Sequence, residues 1–202
     1  DVCIAAVLLA ATALALTPLA GFTPSYAAKV MGVYAVGAVL LWRALPAGHL
    51  HPRFGAANRV TLCRFALSSL LAGLLGEPGA RGDALAWVLV IVAAVTALLD
   101  AVDGALARRS GLASRFGARF DMETDAWLML VLCALLWQFD KVGAWVLASG
   151  LMRYAFVAAA WVWPWLAAPL PPSRRRQTVC VLQIIALIVC LGPIVPSLLA
   201  GA

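Results

Sequence analysis

Residues 100–125 read DAVDGALARRSGLASRFGARFDMETD, and they join two apolar runs, at about 84–108 and 117–138. Each run is close to the ~20 residues that a helix needs to cross a bilayer. Asp100 and Asp103 are three positions apart and share a helix face, which Gly104 and Ala107 continue. Asp121 and Asp125, four apart, share a face of the second run. The short link makes the two helices antiparallel neighbours, so four carboxylates can converge at one depth.

Five of the nine acidic residues in the chain fall within this stretch. Acids inside a membrane are costly and mark function, and four so close repel one another. Two divalent cations balance four negative charges, and an all-oxygen ligand set favours hard ions such as magnesium or manganese. Paired ions of this kind serve displacement at phosphorus. Gly104, Ala107 and Gly117 leave space beside the acids. Small residues also let helices pack closely, but the neighbouring acids favour a ligand pocket.

Composition carries the membrane reading to the rest of the chain. Of 202 residues, 64% are apolar and only 12% charged, against about 25% charged in a soluble domain. Seven apolar segments are predicted as helices, at about 2–22, 27–45, 59–76, 84–108, 117–138, 142–166 and 177–199. Helices are preferred to strands because a lone strand leaves backbone groups unpaired in hydrocarbon. The expected fold is an all-α polytopic transmembrane bundle. The first run lacks a basic n-region and exceeds the length of a signal-peptide core, so it reads as a membrane helix.

Basic residues orient the bundle. Ten arginines lie toward one set of loops, and Lys29, Arg81 and Lys141 toward the other. The bias places the arginine-rich loops and the N-terminus in the cytoplasm, in a multi-pass protein of the cytoplasmic membrane. That basic face suits phosphates and anionic headgroups; nucleic acid is not an expected partner. Trp42, Trp161, Trp163 and Trp165 near one set of helix ends, and Trp87, Trp137 and Trp145 near the other, read as interfacial anchors. The five cysteines form no CxxC pair and read as small apolar fillers. His49 and His51 have no third ligand nearby.

The spacing D-x2-D-G-x2-A-R-x8-G-x3-D-x3-D is met by Asp100, Asp103, Gly104, Ala107, Arg108, Gly117, Asp121 and Asp125. It resembles the signature of the CDP-alcohol phosphotransferases. Asn58-Arg-Val-Thr61-Leu-Cys-Arg64 is similar to the N-x2-T-x2-R that opens the first core helix of that family. The resemblance divides the chain into two extra N-terminal helices, 1–45, and a family-like membrane domain, 58–202. The family has six core helices, and five are counted from residue 59. Pro193 and Pro196 interrupt the last segment, and Ser197–Ala202 is expected to begin a sixth that is cut off.

The resemblance implies transfer of a phosphatidyl group from a CDP-linked lipid, such as CDP-diacylglycerol, to an alcohol acceptor, with release of CMP. It implies two Mg2+ or Mn2+ ions on Asp100, Asp103, Asp121 and Asp125, the last also acting as general base. Gly104, Ala107, Arg108, Gly117 and Thr61 would bind the CDP portion. Arg64, Arg153, Arg174 and Arg175 would hold a phosphate on the acceptor. A homodimer among membrane lipids is also implied. The rival reading is a divalent-cation transporter using the same carboxylates, which predicts acids near mid-membrane and little need for Gly104, Arg108 or Gly117. A prenyltransferase fits less well, because its aspartates recur as D-x3-D. A non-catalytic scaffold leaves the acids unexplained.

Overall fold

A computed structural model describes residues 1–48, 55–80, 82–110, 114–168 and 173–195, the side chains of 44–48, 108–110, 115, 167 and 174 excepted. The described residues form seven α-helices and no strand: α1 (Val2–Leu19), α2 (Ser25–Gly48), α3 (Ala56–Gly73), α4 (Asp83–Ser110), α5 (Arg115–Gln138), α6 (Val146–Val162) and α7 (Arg174–Leu191). One turn of 3₁₀ helix, Pro164–Ala167, follows α6.

The helices assemble around α3 and α5. The first touches α1, α2, α4 and α5, and the second touches α2, α3, α6 and α7. Leu128, Val131, Leu132, Leu135 and Leu136 of α5 are all buried; their three- and four-residue spacing is one face of a helix. Gly150 lets α6 approach α5 closely, since a Cβ there would lie 2.8 Å from the Leu130 Cα. Small residues at such contacts are how helices associate when no water drives them together.

The outer surface is apolar. Leu8, Leu14, Ile91, Leu98, Met152 and Leu182 are exposed, an arrangement suited to lipid and not to water. The protein is a helical membrane bundle. Among the described residues, three helical stretches, Val2–Leu19, Ser25–Arg43 and Asp83–Ala107, are long and apolar enough to cross a bilayer by themselves. The sequence reading expected seven such spans. The helices α3, α5 and α7 are interrupted by Arg59 and Arg64, by Arg119, Asp121, Glu123 and Asp125, and by Arg174–Arg176. The 17 residues of α6 extend about 26 Å, slightly less than the ~30 Å hydrocarbon core.

At the end of the bundle where α3 finishes and α4 starts, polar side chains fasten the turns. Glu77 accepts hydrogen bonds from the Thr23 backbone N–H (2.9 Å), the Thr23 hydroxyl and Lys29 Nζ (2.5 Å). Gln138 donates to the Leu74 carbonyl and accepts from the Gly76 N–H. Lys141 Nζ donates to the carbonyls of Gly192 and Val195. Most of these partners are backbone groups just past helix C-termini, which lack intrahelical partners of their own.

Candidate active site

At the opposite end, α3 begins, α4 finishes and α5 begins. There α4 presents Asp100 and Asp103, α5 presents Asp121 and Asp125, and α3 presents Thr61 and Arg64. Ser114 caps α5 by accepting a 3.0 Å bond from the Gly117 N–H, which fixes the start of the helix nearly two turns before Asp121.

The four carboxylates surround one guanidinium. Arg64 Nη1 lies 3.1 Å from Asp100 Oδ1, 2.8 Å from Asp103 Oδ2 and 2.5 Å from Asp121 Oδ1. Arg64 Nη2 pairs with Asp125 Oδ1, and Nε donates to the Thr96 carbonyl at 3.3 Å. The Thr61 hydroxyl donates to Asp103 Oδ2 at 2.9 Å. The floor of the site is sealed, with Arg64 1% and Asp103 3% exposed. The side chains of Asp100, Asp121 and Asp125 are more than a third exposed and form its mouth.

This donor set fits a hard divalent ion. One oxygen from each of Asp100, Asp103 and Asp121 lies within 4.8 Å of the other two. Magnesium holds its ligands at about 2.1 Å, so opposite ligands stand about 4.2 Å apart, a spacing comparable with that limit. Charge points the same way: among the described side chains, one guanidinium faces four carboxylates.

Other predicted positions are distributed around this centre. Gly104 and Ala107 are half-buried on α4, beyond Asp103. A Cβ on Gly117 would meet Asn58 Oδ1 at 2.8 Å and Ser114 Oγ at 3.3 Å, so the glycine admits the first polar residue of α3 to the wall of the site. The side chains of Arg108 and Arg174 lie outside the described set, and Arg175 is exposed on the first turn of α7. Arg153 does not join the aspartates. It pairs with Glu123, Nη2 to Oε1 at 2.5 Å and Nε to Oε2 at 3.3 Å. An arginine within an apolar helix needs an anionic partner or water, and Glu123 is that partner.

Two contacts were not anticipated. Arg64, expected beside the acceptor, lies among the carboxylates, and Asn58 abuts Gly117. A signal for the first existed: Thr61 and Arg64 are three apart, hence on one face of α3, and Arg64 lies well inside an apolar helix with four acids to satisfy.

Fold and site define a membrane-embedded carboxylate centre, open at one end, suited to divalent ions and to phosphate chemistry. The chain belongs to the CDP-alcohol phosphatidyltransferase family, whose pattern it matches over residues 54–201. Comparison with curated proteins and with solved structures gave no match. As a member of that family it is a transferase of phosphate-containing groups in lipid biosynthesis, acting between a CDP-alcohol donor and an alcohol acceptor.

Proposed function

We propose that this chain transfers a phosphatidyl group from a CDP-linked lipid such as CDP-diacylglycerol to an alcohol, releasing CMP. The observation that carries the reading is the meeting of Asp100, Asp103, Asp121 and Asp125 at one open-mouthed centre of this family's fold. The four aspartates would hold two Mg2+ or Mn2+ ions, which when bound grip the donor diphosphate and stabilise charge on the departing CMP.

The remaining roles belong to the chain's own residues. Asp125, at the mouth, accepts the proton of the acceptor hydroxyl. Thr61 holds Asp103 in place. Gly104, Ala107 and Gly117 leave room for the cytidine, and Arg108 contacts the nucleotide phosphates as a guanidinium does well. Arg64 can reach an acceptor only by leaving the carboxylates, so the acceptor site rests mainly on Arg153, with Arg174 and Arg175. The last two open α7 with no acidic residue in its first turn, where helix dipole and side-chain charge both favour an anion. The catalytic end faces the cytoplasm and the protein works as a homodimer. Residues 1–45 form an N-terminal addition to the transferase core at 58–202.

The deciding experiment supplies labelled CDP-diacylglycerol to the protein in lipid nanodiscs. Glycerol phosphate, inositol phosphate, serine and choline are offered in turn. Metal-dependent CMP release with one labelled lipid product is expected. Divalent-cation uptake into vesicles without CMP release would replace this reading with the transporter.

A further inference from the structure

Arg64 is the most completely enclosed cation among the described residues, at 1% exposure. Its Nη1 stands 2.5–3.1 Å from one oxygen on each of Asp100, Asp103 and Asp121. These three aspartates are also the group whose oxygens are close enough to one another to hold an ion. A divalent ion binding between these carboxylates therefore lies against the guanidinium, and two cations so close on a sealed floor repel strongly.

We propose that Arg64 and a divalent cation compete for the oxygens of Asp100, Asp103 and Asp121, so that Arg64 is a positioning residue which gathers the carboxylates and gives them up when the ion binds. This rests on the metal reading above and adds to it. Charge favours exchange over permanent occupation. Among the described side chains, one guanidinium faces the four acids, whereas two divalent ions match them in charge. The guanidinium is planar, so leaving the aspartates means turning as a unit and giving up the Nε bond to the Thr96 carbonyl. Arg64 then sets two properties in opposite directions. It stabilises the bundle when divalent ions are scarce, and it weakens the affinity of the site for them.

The test compares wild type with Arg64→Gln, Arg64→Lys and Arg59→Gln, each as the full chain in nanodiscs. Free and bound Mn2+ are measured by electron paramagnetic resonance, and melting temperatures are taken in EDTA and in Mn2+. Arg59, which pairs with Asp1 and is largely exposed, controls for the loss of a positive charge on the same helix. Arg64→Gln is expected to bind Mn2+ at least tenfold more tightly and to melt lower than wild type in EDTA, with the gap narrowing in Mn2+. Arg64→Lys, with one nitrogen in place of three, should fall between. Arg59→Gln should bind within twofold of wild type. Should Arg64→Gln fail to fold without metal, it is prepared in Mn2+, and an anomalous-diffraction structure of the Mn2+-loaded wild type supplies the answer. Nη1 displaced from the three oxygens supports exchange. Nη1 still between them beside the ion, or unchanged or weaker Mn2+ affinity in Arg64→Gln, overturns this inference alone. Mn2+ binding by none of the proteins overturns the metal reading as well.

Discussion

Asp125 sits at the mouth of the site with one oxygen on Arg64 Nη2, while Asp103, on the floor, is tied to both Thr61 and Arg64. The difference in exposure leaves the Asp125 carboxylate reachable from outside and the Asp103 carboxylate not, as the proposed base role of Asp125 requires. Asp125→Asn is expected to lower kcat by about 10²–10⁴-fold, the usual range for losing a general base. Its Mn2+ affinity should weaken by much less, because three carboxylates remain. Turnover near the wild-type value would remove the base role. At Gly117 a Cβ would come closest to the amide oxygen of Asn58 at 2.8 Å, the far end of a side chain that can swing aside, and next to the capping hydroxyl of Ser114 at 3.3 Å. Gly117→Leu should therefore raise KM for the CDP-lipid severalfold with the melting temperature nearly unchanged; an unaltered KM would remove the glycine from the pocket. The convergence of the aspartates was legible because residue spacing alone fixes a shared helix face. The place of Arg64 was not. Spacing put it on one face with Thr61, but which neighbour that face meets depends on how three helices are arranged, and that is a property of the bundle.

At the scale of elements, α5 works on two sides. Asp121 and Asp125 face α3 and α4, while Glu123, half a turn away from both, meets Arg153 of α6. Arg153 is thus held at a polar junction between α5 and α6, and its proposed acceptor role requires it to exchange Glu123 for the phosphate. Replacing it by glutamine should raise KM for a phosphate-bearing acceptor about tenfold or more and leave KM for the CDP-lipid alone. The stability cost should be under about 1 kcal/mol, because a partly exposed ion pair contributes little. Equal changes in both constants would argue for a structural role. The same helix pair offers a packing test. Gly150→Leu drives a side chain into the Leu130 backbone and should destabilise by about 1–3 kcal/mol, as overpacking commonly does, read as a lower melting temperature. Helix positions were largely visible in the sequence because Pro and Gly punctuate the apolar runs. The ends were less so. α6 stops at Val162, before Trp163 and Pro164, where proline disfavours helix in the residue ahead of it. α7 starts at Arg174, not 177, with its arginines inside the first turn, because hydropathy cannot see an end made of charged residues.

Across the whole molecule, the few charges divide between two ends. One end holds the aspartates, and the other holds Glu77, Lys29 and Lys141, which tie turns together. α4 links the two, and its 28 residues span about 42 Å, so the fastening cannot act on the aspartates by contact. Glu77 makes the separation testable by pH. Burial alone would raise its pKa. Hydrogen bonds from Lys29 and from the backbone and hydroxyl of Thr23, with the Lys29 charge, outweigh that and bring it from 4.5 to about 2. A carboxylate whose pKa is depressed on folding stabilises the folded state fully above its unfolded value, and that contribution fades as pH falls toward the folded one. The melting temperature of wild type should accordingly lose this contribution between about pH 4.5 and 2. Glu77→Gln should melt lower at neutral pH, and the gap between the two proteins should close across that same window. Mn2+ affinity at neutral pH should be the same in both, since the aspartates lie at the far end. Melting curves that run parallel from pH 7 to 2 would show that Glu77 does not hold α1, α2 and α3 together through its charge, whereas a change in Mn2+ affinity would show that the two ends are mechanically coupled.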